Sequence, residues 1–169
     1  MRATTADPGD ILGLVHPLDI FEQVASELGL TYERGDADNL TFESSGIYGD
    51  YFVEVNWMEE VEALHLSSPL KLHVPPHREA QFKKLVTILN EQLWIGHFDH
   101  WTDEGATIFR YALILPGDSK LSLAQCKLLS EMPAIQWDCY YQAFQFVIYS
   151  DKTAEEAIKI VQFVTEGEA

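Results

Sequence analysis

Between His97 and Glu104 the chain carries two imidazoles and three carboxylates, in the run His97-Phe98-Asp99-His100-Trp101-Thr102-Asp103-Glu104. Groups of this kind ligate divalent cations or move protons, provided that they converge. An extended strand alternates its side chains, so His97 and Asp99 project to one face and His100 to the other. Convergence on one ion would need a bulge, and no separate Cys/His cluster completes a ligand set. The expected role is the rim of a hairpin. The rival reading is a small-ligand- or metal-binding enzyme that uses the His97–Glu104 hairpin.

The other candidates are weaker. His73 and His77 are four apart, but Pro75 and Pro76 between them exclude the helical geometry that makes such spacing useful. His16 and His65 are isolated. Glu59, Glu60 and Glu62 flank a turn, where solvent keeps carboxylate pKa values from separating as acid–base work requires. Asp36-Ala37-Asp38-Asn39 begins like a calcium loop, but the downstream Gly and Glu positions fail. The sequence has no glycine-rich phosphate loop, dinucleotide fingerprint or Gly-x-Ser-x-Gly elbow. Cys126 and Cys139 are too few for a disulfide framework and read as inert thiols on apolar helical stretches in a reducing compartment. The residues therefore point to no catalytic set, cofactor or metal.

The elements that must position these groups follow from periodicity. A helix starts at Pro17 and stops at Gly29, with Leu18, Phe21, Ala25 and Leu28 on one face. Asn39 to Ser45, Tyr51 to Trp57 and Val61 to about Val74 read as three strands of an antiparallel meander. Pro75-Pro76 opens a helix to about Trp94 with the stripe Phe82, Leu85, Val86, Leu89 and Leu93. His97–Trp101 and Ala106–Leu115 form a hairpin around Gly105. Ser122 caps a helix that Pro133 breaks, Ile135–Tyr149 forms the next, and Thr153-Ala154-Glu155-Glu156 caps the last. The expected fold is α+β, an antiparallel sheet packed against helices in the order α-β-β-β-α-β-β-α-α-α. Residues 1–15 read as a flexible leader and 16–169 as one domain.

Charge sets limits on partners. The 169 residues hold 27 Asp and Glu against 11 Lys and Arg, a formal net charge of −16, and most of the excess lies before Leu70. That balance argues against nucleic acid and against an anionic membrane. The first residues lack the apolar core of a signal peptide, and no apolar run reaches membrane-spanning length, so the expected location is the cytoplasm.

Longer stretches carry a resemblance. The run Leu89-Asn90-Glu91-Gln92-Leu93-Trp94-Ile95-Gly96-His97-Phe98-Asp99, then Asp103-Glu104-Gly105 and Phe109-Arg110-Tyr111, resembles the YbjN family of bacterial proteins. So do the acidic strand pair ending near Trp57 and the closing Thr153-Ala154-Glu155-Glu156-Ala157. The family is assigned to sensory-transduction regulation without an established reaction. Its fold is similar to that of the small acidic chaperones of type III secretion, commonly homodimers that bind partner polypeptides without ATP. The resemblance implies a non-enzymatic regulatory or chaperone-like protein-binding module and a homodimer. Asp103, Gly105 and Arg110 match the family's hairpin pattern and take structural roles: turn formation and strand pairing, with scope for an ion pair. Apolar stretches as dense as these ordinarily form core. A functional reading instead makes Phe82, Leu85, Leu89, Trp137 and Tyr141 a partner or dimer surface.

Overall fold

The computed structural model describes residues 16–117 and 119–166, so the expected leader over residues 1–15 lies outside the described residues. Helix α1 (Pro17–Leu28) begins where Pro17 needs no N–H partner and the His16 ring accepts from the Leu18 N–H; it ends at Gly29, at φ +68. Its core face is Leu18, Phe21, Val24 and Ala25.

Six strands follow, β1 (Tyr32–Arg34), β2 (Asn39–Ser45), β3 (Asp50–Met58), β4 (Ala63–Lys71), β5 (His97–Trp101) and β6 (Ala106–Ile114). They form one antiparallel sheet in the order β1-β2-β3-β4-β6-β5. Strand β1 was not expected, because three residues flanked by Gly35 carry too little alternation to register. It exists by pairing Tyr32 with Phe42 and Arg34 with Leu40.

Helix α2 (Glu79–Gln92) lies between β4 and β5 in the chain, and α3 (Leu123–Tyr149) and α4 (Ala154–Glu166) close the fold. Pro75 stays extended and Pro76–Arg78 forms a 3₁₀ turn, so α2 starts later than the two prolines suggest. The expected break at Pro133 does not occur: α3 is one helix of 27 residues with the proline inside it. An internal proline removes one hydrogen bond and crowds the preceding turn, at about 3 kcal/mol. Here Met132, Pro133, Ala134 and Trp137 are all buried, and the Ser44 hydroxyl donates to the Ser130 carbonyl at 2.9 Å. Burial of the helix on several sides at this point holds it together through the proline. The fold class stands as α+β, with one strand more and one helix fewer than the periodicity predicts.

The helices gather on one face of the sheet. Tyr51, Val53 and Val55 of β3, Leu64 and Leu66 of β4, Phe109 of β6 and Phe98 of β5 point into that layer and are buried. Trp137 sits at its centre, with ring centroids 5.0 Å from Phe98 and 5.8 Å from Phe144, and its Nε1–H donates to Ser68 Oγ at 3.1 Å. The alternate residues, Phe52, Glu54, Asn56 and Met58 on β3 and Arg110, Ala112 and Ile114 on β6, lie on the opposite face, over which no described helix packs. Among the described residues no helix is long and apolar enough to cross a membrane.

Candidate functional site

The register of three strands brings one end of the sheet together. Lys71 pairs with Ala106, and Ala106 with Trp101, so the end of β4, the start of β6 and the end of β5 are adjacent. The β4–α2 connector, stiffened by Pro75-Pro76, therefore passes beside the β5–β6 turn. In that turn the Glu104 N–H donates to the Trp101 carbonyl at 3.2 Å and the Gly105 N–H to the Thr102 carbonyl at 3.3 Å. Gly105 adopts φ +61, a region that side chains with a Cβ rarely enter.

Connector and turn enclose an open cleft of about 540 Å³. Leu72, Val74 and Pro76 line it with apolar atoms, Glu79, Asp103 and Glu104 with carboxylates, and His73 and His100 with imidazoles. The His100 ring is the most constrained group. Its Nδ1 lies 3.1 Å from Thr107 Oγ1, and its centroid lies 4.7 Å from that of Phe82. Burial, with Lys83 nearby, holds the His100 pKa below its usual value. Glu79 takes a 2.6 Å hydrogen bond from Lys83, which together with a bond from Thr102 lowers its pKa. The site can present an ionised carboxylate and a neutral imidazole beside apolar side chains. That set suits recognition of a polar or cationic side chain carried on an apolar segment.

The hairpin's ligand candidates divide as strand alternation requires. His100, Asp103 and Glu104 line the cleft, whereas His97 and Asp99 lie on the helix-free face beside Arg110. There Arg110 Nη1 is 2.6 Å from Asp99 Oδ2, and its Nε donates to His65 Nε2 at 3.4 Å. Burial and the Arg110 charge keep the His65 pKa low. Arg110 thus forms its ion pair across the β5–β6 ladder with Asp99. Among the described residues no group of three or more His, Cys, Asp or Glu is arranged to hold a metal ion. The Cys126 thiol is pushed up to about 12 by burial, far from the range of a nucleophile at neutral pH.

Four residues read as a docking surface are core. Phe82, Leu85, Leu89 and Trp137 each have 0% relative exposure, sealed between α2, α3 and the sheet, and present nothing to a partner. Tyr141 is half-buried and stacks on Tyr48 with centroids 4.8 Å apart. The residues that sequence reasoning missed are Leu72, Val74 and Glu79. The signal for them was the double proline, which fixes a connector directly after a strand that ends beside the hairpin.

A model of the YbjN family, described as "putative bacterial sensory transduction regulator", matches residues 17–146. The chain belongs to the YbjN family. The YbjN match runs from the first residue of α1 to Phe146 in α3, so it includes the whole sheet and the cleft and leaves α4 outside. No curated protein matches the chain. Among solved structures the chain is similar to the crystal structure of YbjN, "a putative transcription regulator from E. coli". That likeness has a TM-score of 0.52 at 13% identity and covers 76% of this chain and 93% of the other. At such identity it speaks for the fold, which is the α+β arrangement of the YbjN structure, and not for any particular site.

Proposed function

We propose that the chain is a regulatory, chaperone-like protein-binding module that works without catalytic chemistry and holds a segment of a partner polypeptide in the cleft under the β5–β6 hairpin. The observation that carries this reading is the cleft itself. Its volume of about 540 Å³ falls within the ~300–1,000 Å³ of ordinary ligand sites. Leu72, Val74 and Pro76 give it apolar lining, and its carboxylates come from two separate chain segments. Acidic charge over the whole molecule draws basic, apolar segments toward such a site and turns acidic ones away. Family membership supports a regulatory role. The free thiols of Cys126 and Cys139 suit a reducing cytoplasm, where we place this work.

A displayed library of random peptides, selected on the full chain, tests the reading. Selected peptides should combine a Lys or Arg with flanking apolar residues, and Val74→Glu or Glu104→Lys should weaken them at least tenfold. Selection of no peptide, or of peptides indifferent to both substitutions, contradicts it.

A further inference from the structure

The helix-free face of the sheet is divided by charge. On β1, β2 and β3 it carries Glu33, Glu43, Asp50 and Glu54, with no Lys or Arg. On β4, β5 and β6 it carries Lys71, Arg110 and His97, and its one carboxylate, Asp99, is held by Arg110. Apolar side chains stand exposed around these rows: Phe52 at 46%, Met58 at 49%, Trp101 at 43% and Ile114 at 67%. A face of six strands spaced ~4.8 Å, each several residues long, covers on the order of 600 Å². That approaches the ~800 Å² that each partner contributes to a standard interface.

We infer that this face is covered by the same face of a second copy, related by a two-fold axis that runs along the strands. An axis of that direction lays the acidic β1–β3 half of each copy over the β4–β6 half of the other. The alternative axis, across the strands, lays β2 on β2 and sets Glu43 near Glu43. The ladder register makes the first arrangement specific. Glu33 pairs with Thr41, Thr41 with Glu54, Glu54 with Ser67, Ser67 with Arg110 and Arg110 with His97, so these six residues form one row across the sheet. Turned end for end and laid on itself, the row places Glu33 against His97 of the other copy. Arg110 then lies between that copy's Glu33 and Glu54. Aligned packing of two twisted sheets supplies the geometry, and self-complementarity is what a closed two-fold dimer requires. The inference stands apart from the cleft, which lies at one end of the sheet, and either can fail alone.

Sedimentation velocity on the full chain tests it with two variants whose changes fall on exposed positions. One carries Glu33→Lys and Glu43→Lys, the other His97→Glu and Ala112→Glu. The unmodified chain should sediment as a dimer that weakens as salt is raised. Each variant alone should shift at least tenfold toward monomer, because both halves of its face now repel those of its copy. An equimolar mixture of the two should restore the dimer. An unmodified chain that is monomeric at every concentration overturns the inference. So do variants that dimerise as well as the unmodified chain, and a mixture that fails to recover.

Discussion

The side-chain amide of Asn90 donates to the Phe98 carbonyl at 2.9 Å and accepts from the Phe98 N–H at 2.8 Å. A residue of α2 therefore stands where the next strand of the sheet would pair, at the second residue of edge strand β5. Free strand edges invite pairing with other chains, and native proteins cover them. The two hydrogen bonds make addition of a partner strand at β5 costly.

Asn90→Ala should lower stability by roughly 1–3 kcal/mol, the range for leaving part-buried backbone groups without their partners. Urea unfolding measures that loss. Amide exchange at Phe98 should quicken out of proportion to the global change, since its N–H loses its acceptor. Unchanged exchange there would show that Asn90 does not guard the edge.

A second tie joins the β2–β3 turn to α3. Asp138 accepts from the Ile47 N–H at 2.7 Å, the Tyr48 N–H at 3.4 Å and the Tyr51 hydroxyl at 2.8 Å. Burial and the Asp138 carboxylate push the Tyr51 pKa up. Gly46 makes the approach possible, because a Cβ there would lie 2.5 Å from the Tyr51 ring and 2.7 Å from an Asp138 oxygen. Asp138→Ala and Gly46→Ala should each destabilise the chain by about 1–3 kcal/mol. The double variant should cost less than the sum, since both break the same contact. Additive losses in urea midpoints would contradict a shared contact.

Histidines give the pH dependence its sign. His65 and His100 both have pKa values lowered from 6.5 in the folded chain, chiefly by burial. The unfolded chain then binds more protons than the folded one between the lowered values and 6.5, so stability rises with pH through that window and is lost as pH falls below 6.5. Urea midpoints across that range should fall toward acid. His100→Gln should flatten the dependence, and a dependence as steep in the double variant with His65→Gln would contradict the assignment.

The two thiols should differ. Cys126 is fully buried and its thiol stays protonated, whereas Cys139 is exposed at the surface of α3. An aromatic disulfide reagent should titrate one thiol in the folded chain and two in urea. Cys139→Ser should leave none reactive before unfolding.

Much of this fold was legible in the residues. Pro17 and Gly29 bound α1 as written, and alternation located β2, β3, β5 and β6 because each keeps one buried face. The ends differed where tertiary contacts override local preference. Pro133 reads as a helix breaker, but a helix buried at Met132, Ala134 and Trp137 gains more from burial than the proline removes. The apolar stripe of α2 was legible as a stripe, while its partners were not: Phe82 packs against His100 and Phe144, which periodicity cannot reveal. The same holds for the cleft. His100 and Asp103 were visible as chemistry-bearing residues, whereas their neighbours Leu72 and Glu79 come from a connector placed by the Lys71–Ala106 pairing.

Whether the cleft under the hairpin holds a polypeptide segment is tested most directly in the cell. A photoreactive amino acid placed at Asp103, at Tyr149 on exposed α3 surface and at Leu28 at the end of α1 measures it directly, after irradiation of living cells and separation of the cross-linked species. One discrete cross-linked polypeptide is expected at Asp103, absent at Tyr149 and Leu28 and lost when Val74→Glu is added. Equal cross-linking from all three positions, or none at Asp103, would contradict it.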